Sequence, residues 1–225
     1  YTAYLGITTC ARRTSDQWHE DPSKRGRCGV FQGDFGESFM HNQPVTEAIA
    51  NRFPRTLLLG GMALGFELVI GLTLGVLAAL RRNTWLDTGF MGLAFLGISA
   101  PTFLTGLLFL QYIAYQGGWF PVGGYGVDPL DHVYHAILPA LTLAIIGAAT
   151  YARVMRSEML ETLKSDYVRT AKAKGASPVR VTLKHAVRTA LLPIVTLMGL
   201  SLALLVSGAI ITESIYAWPG MGSLA

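Results

Sequence analysis

Residues 166–193, DYVRTAKAKGASPVRVTLKHAVRTALLP, form a basic stretch of soluble character between two segments that are apolar enough to cross a lipid bilayer. From Arg153 to Arg188 the sequence contains nine Lys or Arg against three Asp or Glu, a local net charge of +6. A basic loop of this kind can simply contact anionic lipid and set the topology of the chain. The turn signals within the stretch indicate a further role.

These signals would begin and end a short helix. Ser165 and Asp166 favour a helix N-terminus, and Gly175 is suited to end the helix in the left-handed conformation. Ser177 and Pro178 then supply the cap and the first residue of the next helix. The sequence therefore predicts a helix of about two turns, held between two sharp turns.

The predicted helix covers residues 167–174 and places Tyr167, Ala171 and Lys174 on one side, at spacings of four and three. A helix of small residues with one aromatic side chain and a basic rim is suited to docking in a groove of a partner protein. Catalysis has little support, because the chain contains no GxxxxGK[ST], HExxH or GxSxG motif.

The composition is that of an all-α polytopic membrane protein. The chain of 225 residues is 51% hydrophobic and 14% charged, with a mean hydropathy of +0.41. Spanning helices need about 20 apolar residues to cross a hydrocarbon core of about 30 Å. Four segments meet this requirement, at about 56–80, 86–115, 135–151 and 190–211. Residues 1–55 are read as a polar loop region and residues 56–225 as the membrane domain.

The distribution of charge predicts which side is cytoplasmic. Two short loops, 81–85 and 152–189, carry eleven basic residues, whereas the opposite side carries seven, all within residues 1–55. Short basic loops stay in the cytoplasm, so residues 1–55 are expected to be extracytoplasmic. In an oxidising compartment Cys10 and Cys28 could form a disulfide; two free thiols are the alternative.

A few polar or helix-breaking residues lie inside the predicted spans. Glu67 would cost about 3 kcal/mol at mid-membrane unless it is paired or hydrated, so it should face a helix interface or a water-filled cavity. Pro101 should kink or break the second span, and Ser99 beside it could satisfy the freed backbone groups. These three residues are weak candidates for lining a pathway. His132 and His135 have no third ligand nearby, so no metal site is expected.

The basic stretch resembles the coupling loop, or EAA motif, of the permease subunits of binding-protein-dependent ABC importers. Arg169, Thr170 and Ala171 align with the motif's triplet, Gly175 with its glycine, and Leu192-Pro193 with its end. An arginine replaces the usual acidic residue, and the interval from the glycine to Leu-Pro is longer than in sugar or amino-acid permeases. Both departures resemble the dipeptide, oligopeptide and nickel permeases.

The similarity covers most of residues 33–225. Further segments that resemble this subfamily are GDFGESF at 33–39, the run at 52–56, GISAPTF around Pro101, WFPVGGYG at 119–126 and ESIYAWPGMG near the end. Residues 6–27, which contain Cys10, resemble an insertion that the family does not explain.

The resemblance implies the ABC importer permease fold, with about six spanning helices in the full protein, in a bacterial or archaeal cytoplasmic membrane. It implies a second permease subunit, two cytoplasmic ATPase subunits that bind ATP and Mg²⁺, and an extracytoplasmic solute-binding protein. This chain would bind no cofactor or nucleic acid itself and would contact membrane lipid. Asp166, Tyr167 and Lys174 would join the motif residues in contacting the ATPases.

The expected function is import of di- or oligopeptides, with nickel or another small solute as the alternative substrate. An ATP-independent channel or secondary transporter would need prominent polar groups inside the membrane, and Glu67 is almost the only one. A membrane enzyme is disfavoured because the chain lacks a nucleophile or metal constellation.

Overall fold

The computed structural model describes residues 10–11, 25–26, 37–38 and 43–224. The chain forms two compact units, Tyr1–Pro54 and Arg55–Ala225. In the first unit β1 (Cys10–Ala11) pairs with β2 (Arg25–Gly26), and β3 (Glu37–Ser38) pairs with β4 (Gln43–Pro44), both antiparallel. The predicted disulfide lies outside the described residues, because Cys28 is not among them.

The rest of the described chain is almost entirely helical, as the composition predicts. The helices are α1 (Val45–Leu80), α2 (Trp85–Ser99), α3 (Thr102–Phe109), α4 (Pro129–Thr162), α5 (Asp166–Ala173), α6 (Pro178–Arg180), α7 (Arg188–Gly208) and α8 (Ile210–Ile215). Two π-helical stretches, Leu110–Gln116 and Val181–Val187, extend α3 and join α6 to α7. A 3₁₀ turn, Gly222–Leu224, follows α8.

The first helix begins eleven residues before the predicted start of the first span at Thr56. Residues 45–53 contain good helix formers and have Glu47 in the first turn, where a carboxylate is favourable. Pro54 is accommodated inside the helix instead of starting it. The predicted loop over residues 1–55 is therefore wrong for its last eleven residues.

Three described helical segments are long and apolar enough to cross a membrane: Val45–Leu80, Pro129–Thr162 and Pro178–Leu202. The predicted second span is broken between α2 and α3, whose axes differ by 104°. Pro101 lies at the break, in extended backbone, and accepts hydrogen bonds at its carbonyl from the amide and hydroxyl of Thr105. The predicted break at Pro101 is confirmed.

Contacts with α4 show that α2 and α3 together cross beside it as one bent span. These contacts run in opposite order along α4 and along the α2–α3 pair. From one end to the other, the contacts are Asp87 with Arg156, Gly97 with Ala149 and Ile145, Gly106 with Thr142, and Trp119 with Tyr134. From residue 156 to residue 134, α4 covers about 33 Å, close to the thickness of a hydrocarbon core. The α2–α3 pair is the fourth crossing of an all-helical membrane fold.

The core lies where α1, α4 and α7 pack together. Towards one end, Leu59 and Ala63 of α1 pack against Ala136 and Ala140 of α4. Towards the other end a second cluster joins the same three helices, with Ala79, Met155, Met159, Ala186, Ala190 and Ile194. Successive contacts run in the same order along both helices, from Glu67 beside Gly147 to Gly75 beside Met155, so α1 and α4 are parallel.

Two boundaries of the later spans differ from prediction. The third helix starts at Pro129, before the predicted start of the third span at residue 135, whereas its continuation past residue 151 to Thr162 agrees with the absence of Gly and Pro from residues 152–162. Leu192 and Pro193 were expected at the start of the fourth span and instead lie inside α7. Proline is tolerated inside a membrane helix where local adjustment satisfies the freed carbonyl groups.

Candidate functional site

The short helix α5 is the candidate site, and its two ends are fixed by local hydrogen bonds. At its start, the amide and hydroxyl of Ser165 both donate to the carbonyl of Thr162, at 3.0 and 2.6 Å. This turn ends α4 and redirects the chain, and Asp166 then opens α5. Ser165 occupies the N-cap position with extended backbone, but its hydroxyl turns back to α4 and does not cap α5.

Gly175 ends α5 in the left-handed conformation that the sequence predicts. Its φ is +79°. The amide of Gly175 donates to the carbonyl of Lys172 at 2.9 Å, and the amide of Ala176 donates to that of Ala171 at 3.1 Å. These two bonds are the Schellman arrangement, which satisfies the last carbonyl groups of a helix. A side chain at this φ would strain the backbone.

The next helix begins as predicted. The Ser177 hydroxyl accepts a hydrogen bond from the amide of Arg180 at 3.4 Å, and Pro178 is the first helical residue. From Pro178 the chain is helical through the π-helical stretch into α7. The turn at Gly175–Ser177 therefore connects α5 directly to a membrane-spanning helix.

Two side chains hold α5 against the bundle, and the sequence reading missed both contacts. Val168 is completely buried, and the Tyr167 hydroxyl donates to the hydroxyl of Thr189 at the start of α7, at 3.0 Å. α5 packs against the π-helical stretch Val181–Val187. Val168 is the only aliphatic β-branched residue in DYVRTAKA, which is the signal that could have identified it.

The exposed residues of α5 and of the turn that follows it form a surface with net positive charge. They are Asp166, Tyr167, Arg169, Thr170, Lys172, Ala173, Lys174 and Gly175. Of the three residues predicted on one side, Tyr167 and Lys174 are exposed and Ala171 is half-buried. Arg169 and Asp166 form a loose, exposed ion pair at 3.7 Å, which contributes little to stability. The surface is free to contact another molecule.

Leu192 and Pro193 are not part of this surface. Leu192 lies three residues after Thr189, about 4.5 Å further along α7, and is exposed. Pro193 is half-buried within the same helix. The structure thus brings the start of α7 to α5 through Thr189, and it places the predicted Leu-Pro end of the motif farther along the helix.

Near α5, an ion pair joins α4 to α2. Arg156, near the end of α4, makes a two-pronged contact with Asp87 of α2, with Nε to Oδ1 at 2.6 Å and a terminal nitrogen to Oδ2 at 2.7 Å. The Asn83 amide also donates to Asp87, at 3.0 Å. Paired geometry of this kind is the strong form of an ionic hydrogen bond.

The three weak pathway candidates do not form a common site. Glu67 is buried at the interface of α1 with α4, beside Gly147, which satisfies the expectation that it faces a helix interface. Ser99 and Pro101 lie at the α2–α3 break and are exposed. Their role in a pathway stays a prediction.

The far end of the bundle contains an organised loop in the ESIYAWPGMG segment, whose contacts the sequence did not predict. Glu213 of α8 is buried, and its carboxylate accepts hydrogen bonds from the Thr56 hydroxyl and the Ser223 amide, both at 3.1 Å. The Thr56 hydroxyl in turn accepts from the Met221 amide at 2.7 Å. The sequence WPGMGS is thereby folded around one carboxylate, close to the start of the first predicted span.

Aromatic side chains join this loop to the α3–α4 connection. The Tyr125 ring stacks on His132 at 3.8 Å, meets Trp218 edge-on at 5.0 Å, and lies 4.7 Å from the Arg55 guanidinium carbon. Nδ1 of His132 is 2.7 Å from the carbonyl oxygen of Tyr125. In the part of the chain that the structure describes, no group of three metal-ligating side chains is found.

Three long apolar helices, the bent α2–α3 pair and a short, capped helix exposed at one end define a helical membrane protein. Residues 71–225 match the family described as the inner membrane component of binding-protein-dependent transport systems. This chain belongs to that family. It is a multi-pass protein of the cytoplasmic membrane.

Similar proteins carry names from the same kind of system. A Brucella suis biovar 1 protein, named provisionally as a peptide permease, is 48% identical over 201 residues. A glutathione transport system permease protein of Salmonella choleraesuis is 43% identical over 195 residues. The matched region is 87% of this chain in both comparisons, and 63% and 62% of the respective relatives. The chain therefore spans a little under two thirds of their length.

Proposed function

We propose that this chain is the permease subunit of an ATP-driven importer of di- or oligopeptides. Membership of the transport family and the names of the similar proteins support the class of system and the kind of substrate. The single observation that carries the proposal is α5, a capped helix fixed to the bundle on one side and exposed on the other. A channel or secondary transporter would have no use for such a helix.

The partners in this proposal are a second permease subunit, two cytoplasmic ATPase subunits and an extracytoplasmic solute-binding protein. ATP and Mg²⁺ would bind to the ATPases. The positive charge around α5 supports a cytoplasmic location for it. Its exposed residues, from Asp166 to Gly175, would enter a groove on an ATPase surface, as amphipathic helices commonly do.

Motion of the ATPases would reach the membrane through the two turns that flank α5. The Ser165 turn connects α5 to α4, and the Gly175 turn connects it to α7, while Val168 and Tyr167 hold it against the bundle. Because both connections are short and hydrogen-bonded, displacement of α5 would displace α4 and α7 together. Rigid-body movement of these helices would switch the access of the pathway from one side to the other.

Two substitutions on α5 test the coupling role. Ala171→Asp adds a charge at a half-buried position beside the exposed surface of α5. Gly175→Val forces a branched side chain into the left-handed conformation. Each should weaken ATPase binding by about tenfold or more, the loss typical of a central contact residue, and should abolish uptake and stimulated ATP hydrolysis. Both variants should still insert in the membrane.

The matched control is Val179→Asp, which adds the same charge at an exposed position outside α5. It should transport at the wild-type rate. The measurement is ATP-dependent peptide uptake in proteoliposomes containing all subunits and the binding protein. Normal uptake by the Ala171→Asp and Gly175→Val proteins would exclude coupling through α5.

A further inference from the structure

Glu67 is a buried acid that no part of the proposed coupling uses. It lies near the middle of the membrane-spanning part of α1, and only 3% of its surface is exposed. Its Oε2 atom is buried and has no hydrogen-bond partner among the described residues. A carboxyl oxygen in such a position is rare in folded proteins, since buried polar atoms are nearly always satisfied.

The facing helix leaves space for this carboxyl group by means of a glycine. A Cβ atom added to Gly147 of α4 would overlap the Glu67 carboxyl carbon and Oε1. One turn further along α1, Gly71 lies against Ala148 and Tyr151 of α4. The carboxyl group is thus enclosed at the closest approach of α1 and α4.

Few other ionisable groups lie near this point. In the described part of the chain, Tyr151, one turn from Gly147, is the titratable residue that α4 presents there, and its hydroxyl donates to Ser201 of α7 at 2.9 Å. The charged residues nearest in sequence to Glu67 on α1 are Arg55 and Arg81. The one nearest to Gly147 on α4 is the exposed Arg153. Arg55 and Arg81 lie about 18 and 21 Å from Glu67 along the axis of α1.

An ionised carboxylate without a partner is strongly disfavoured inside a bilayer, whereas a neutral carboxylic acid is tolerated. We propose that Glu67 is a proton-binding site in the membrane interior, and that the bound proton keeps α1 packed against α4 at Gly147. Raising the pH transfers this proton to hydroxide, leaving a carboxylate and water. The carboxylate then requires hydration, which the tight contact with Gly147 cannot provide, so α1 and α4 separate locally.

The direction of the pH effect follows from this. The neutral acid is compatible with the packed bundle, so the packing is undisturbed while Glu67 holds its proton. The unfolded state can hydrate the carboxylate and releases the proton at a lower pH than the packed bundle does, so stability falls as the pH rises between these two points and then no longer depends on Glu67. A glutamine at the same position has a similar shape and no proton to lose, so its packing should not depend on pH in this way.

Infrared spectroscopy and thermal unfolding of the full-length protein, purified in its native assembly, test the proposal. At neutral pH the wild-type spectrum should contain a carboxylic-acid C=O band that is lost in Glu67→Gln. In the wild type the band should disappear as the pH rises, and the Tm should fall with rising pH until the band is lost. The Tm of Glu67→Gln should lack this fall. Glu161→Gln, which changes an exposed acid, should behave as the wild type.

If Glu67→Gln does not assemble, the double variant Glu67→Ala/Gly147→Ala provides the acid-free reference, because the added methyl group fills part of the vacated space. Identical infrared spectra of the wild type and the acid-free variant at neutral pH would overturn the proposal, as they would show Glu67 to be ionised. The same fall in Tm with rising pH in the wild type and in the acid-free variant would also overturn the proposal. Neither result depends on the substrate or on the ATPases.

Discussion

Single carboxyl groups behave differently in this protein according to what surrounds them. The Glu213 carboxylate is buried and accepts hydrogen bonds from Thr56 and Ser223. The Asp87 carboxylate is buried and paired with Arg156. Glu67 is buried with an unpartnered oxygen. In the described part of the chain both oxygens of the first two groups have hydrogen-bond partners and one oxygen of Glu67 has none, so a buried carboxyl group serves as a structural anchor in two places and as the proposed proton site in the third.

Replacement of Glu213 by alanine should disorganise the loop after α8. The substitution leaves the Thr56 hydroxyl and the Ser223 amide without their acceptor, and loss of a buried hydrogen-bonded charge should cost about 3 kcal/mol. Thermal unfolding in detergent, with proteolysis of residues 213–224 as a local readout, measures the effect. Ser214→Ala changes an exposed neighbour and should shift stability by no more than about 0.5 kcal/mol. Equal effects of the two substitutions would contradict the anchoring role of Glu213.

At the level of elements, the two glycine pairs of α1 serve different surfaces. Gly71 and Gly75 meet α4 so closely that an added Cβ would lie 2.6 Å from the carbonyl oxygens of Ala148 and Ala152. Gly61 and Gly65 meet no described atom within 4 Å. The spacing of the two pairs is the same. The spacing therefore predicts that a helix approaches α1 closely, but it does not predict which glycine pair contacts another helix of this chain.

Alanine substitution separates the two pairs. Gly71→Ala should destabilise the bundle by about 1–3 kcal/mol, because the added carbon atom overpacks the contact with α4. Gly61→Ala adds the same methyl group to open space and should change stability by no more than about 0.5 kcal/mol. Thermal unfolding of the two variants in the same detergent gives the comparison. A larger loss for Gly61→Ala would mean that α1 is rotated relative to the described packing.

Local chemistry explains why α5 could be predicted to within one residue. The predicted helix covered residues 167–174 and the observed helix is Asp166–Ala173. Ser165, Gly175, Ser177 and Pro178 act on backbone atoms within five residues of themselves, so their effect is visible in the sequence. The burial of Val168 and the bond from Tyr167 to Thr189 depend on the π-helical stretch and α7, which only folding brings to α5.

For the whole molecule, the order of contacts along α4 indicates whether α2 and α3 together form one bent crossing. A bend of 104° between α2 and α3 is compatible with a re-entrant loop that returns to the side it left. The contacts from Asp87 to Trp119 instead progress from one end of α4 towards the other. The loops before α2 and after the π-helical stretch should therefore lie on opposite sides of the membrane.

Labelling of single cysteines tests this arrangement, in a chain whose two native cysteines are replaced by serine. Asn83→Cys and Lys184→Cys, both at exposed positions, should react with a membrane-impermeant thiol reagent only from the cytoplasmic side. Val127→Cys, also exposed, should react only from the opposite side. Reaction of Asn83→Cys and Val127→Cys from the same side would mean that α2 and α3 form a re-entrant loop.

The sequence by itself determined the class of the protein, the position of its spans, the break at Pro101 and the ends of α5. Each of these depends on composition or on atoms a few residues apart. The tertiary structure decided which residues become partners: Asp87 and Arg156 are 69 residues apart, and Thr56 and Glu213 are 157 apart. It also placed Glu67 opposite Gly147. Such pairings depend on how helices pack side by side. Helix packing brings together residues that are far apart in sequence, so no local pattern predicts them.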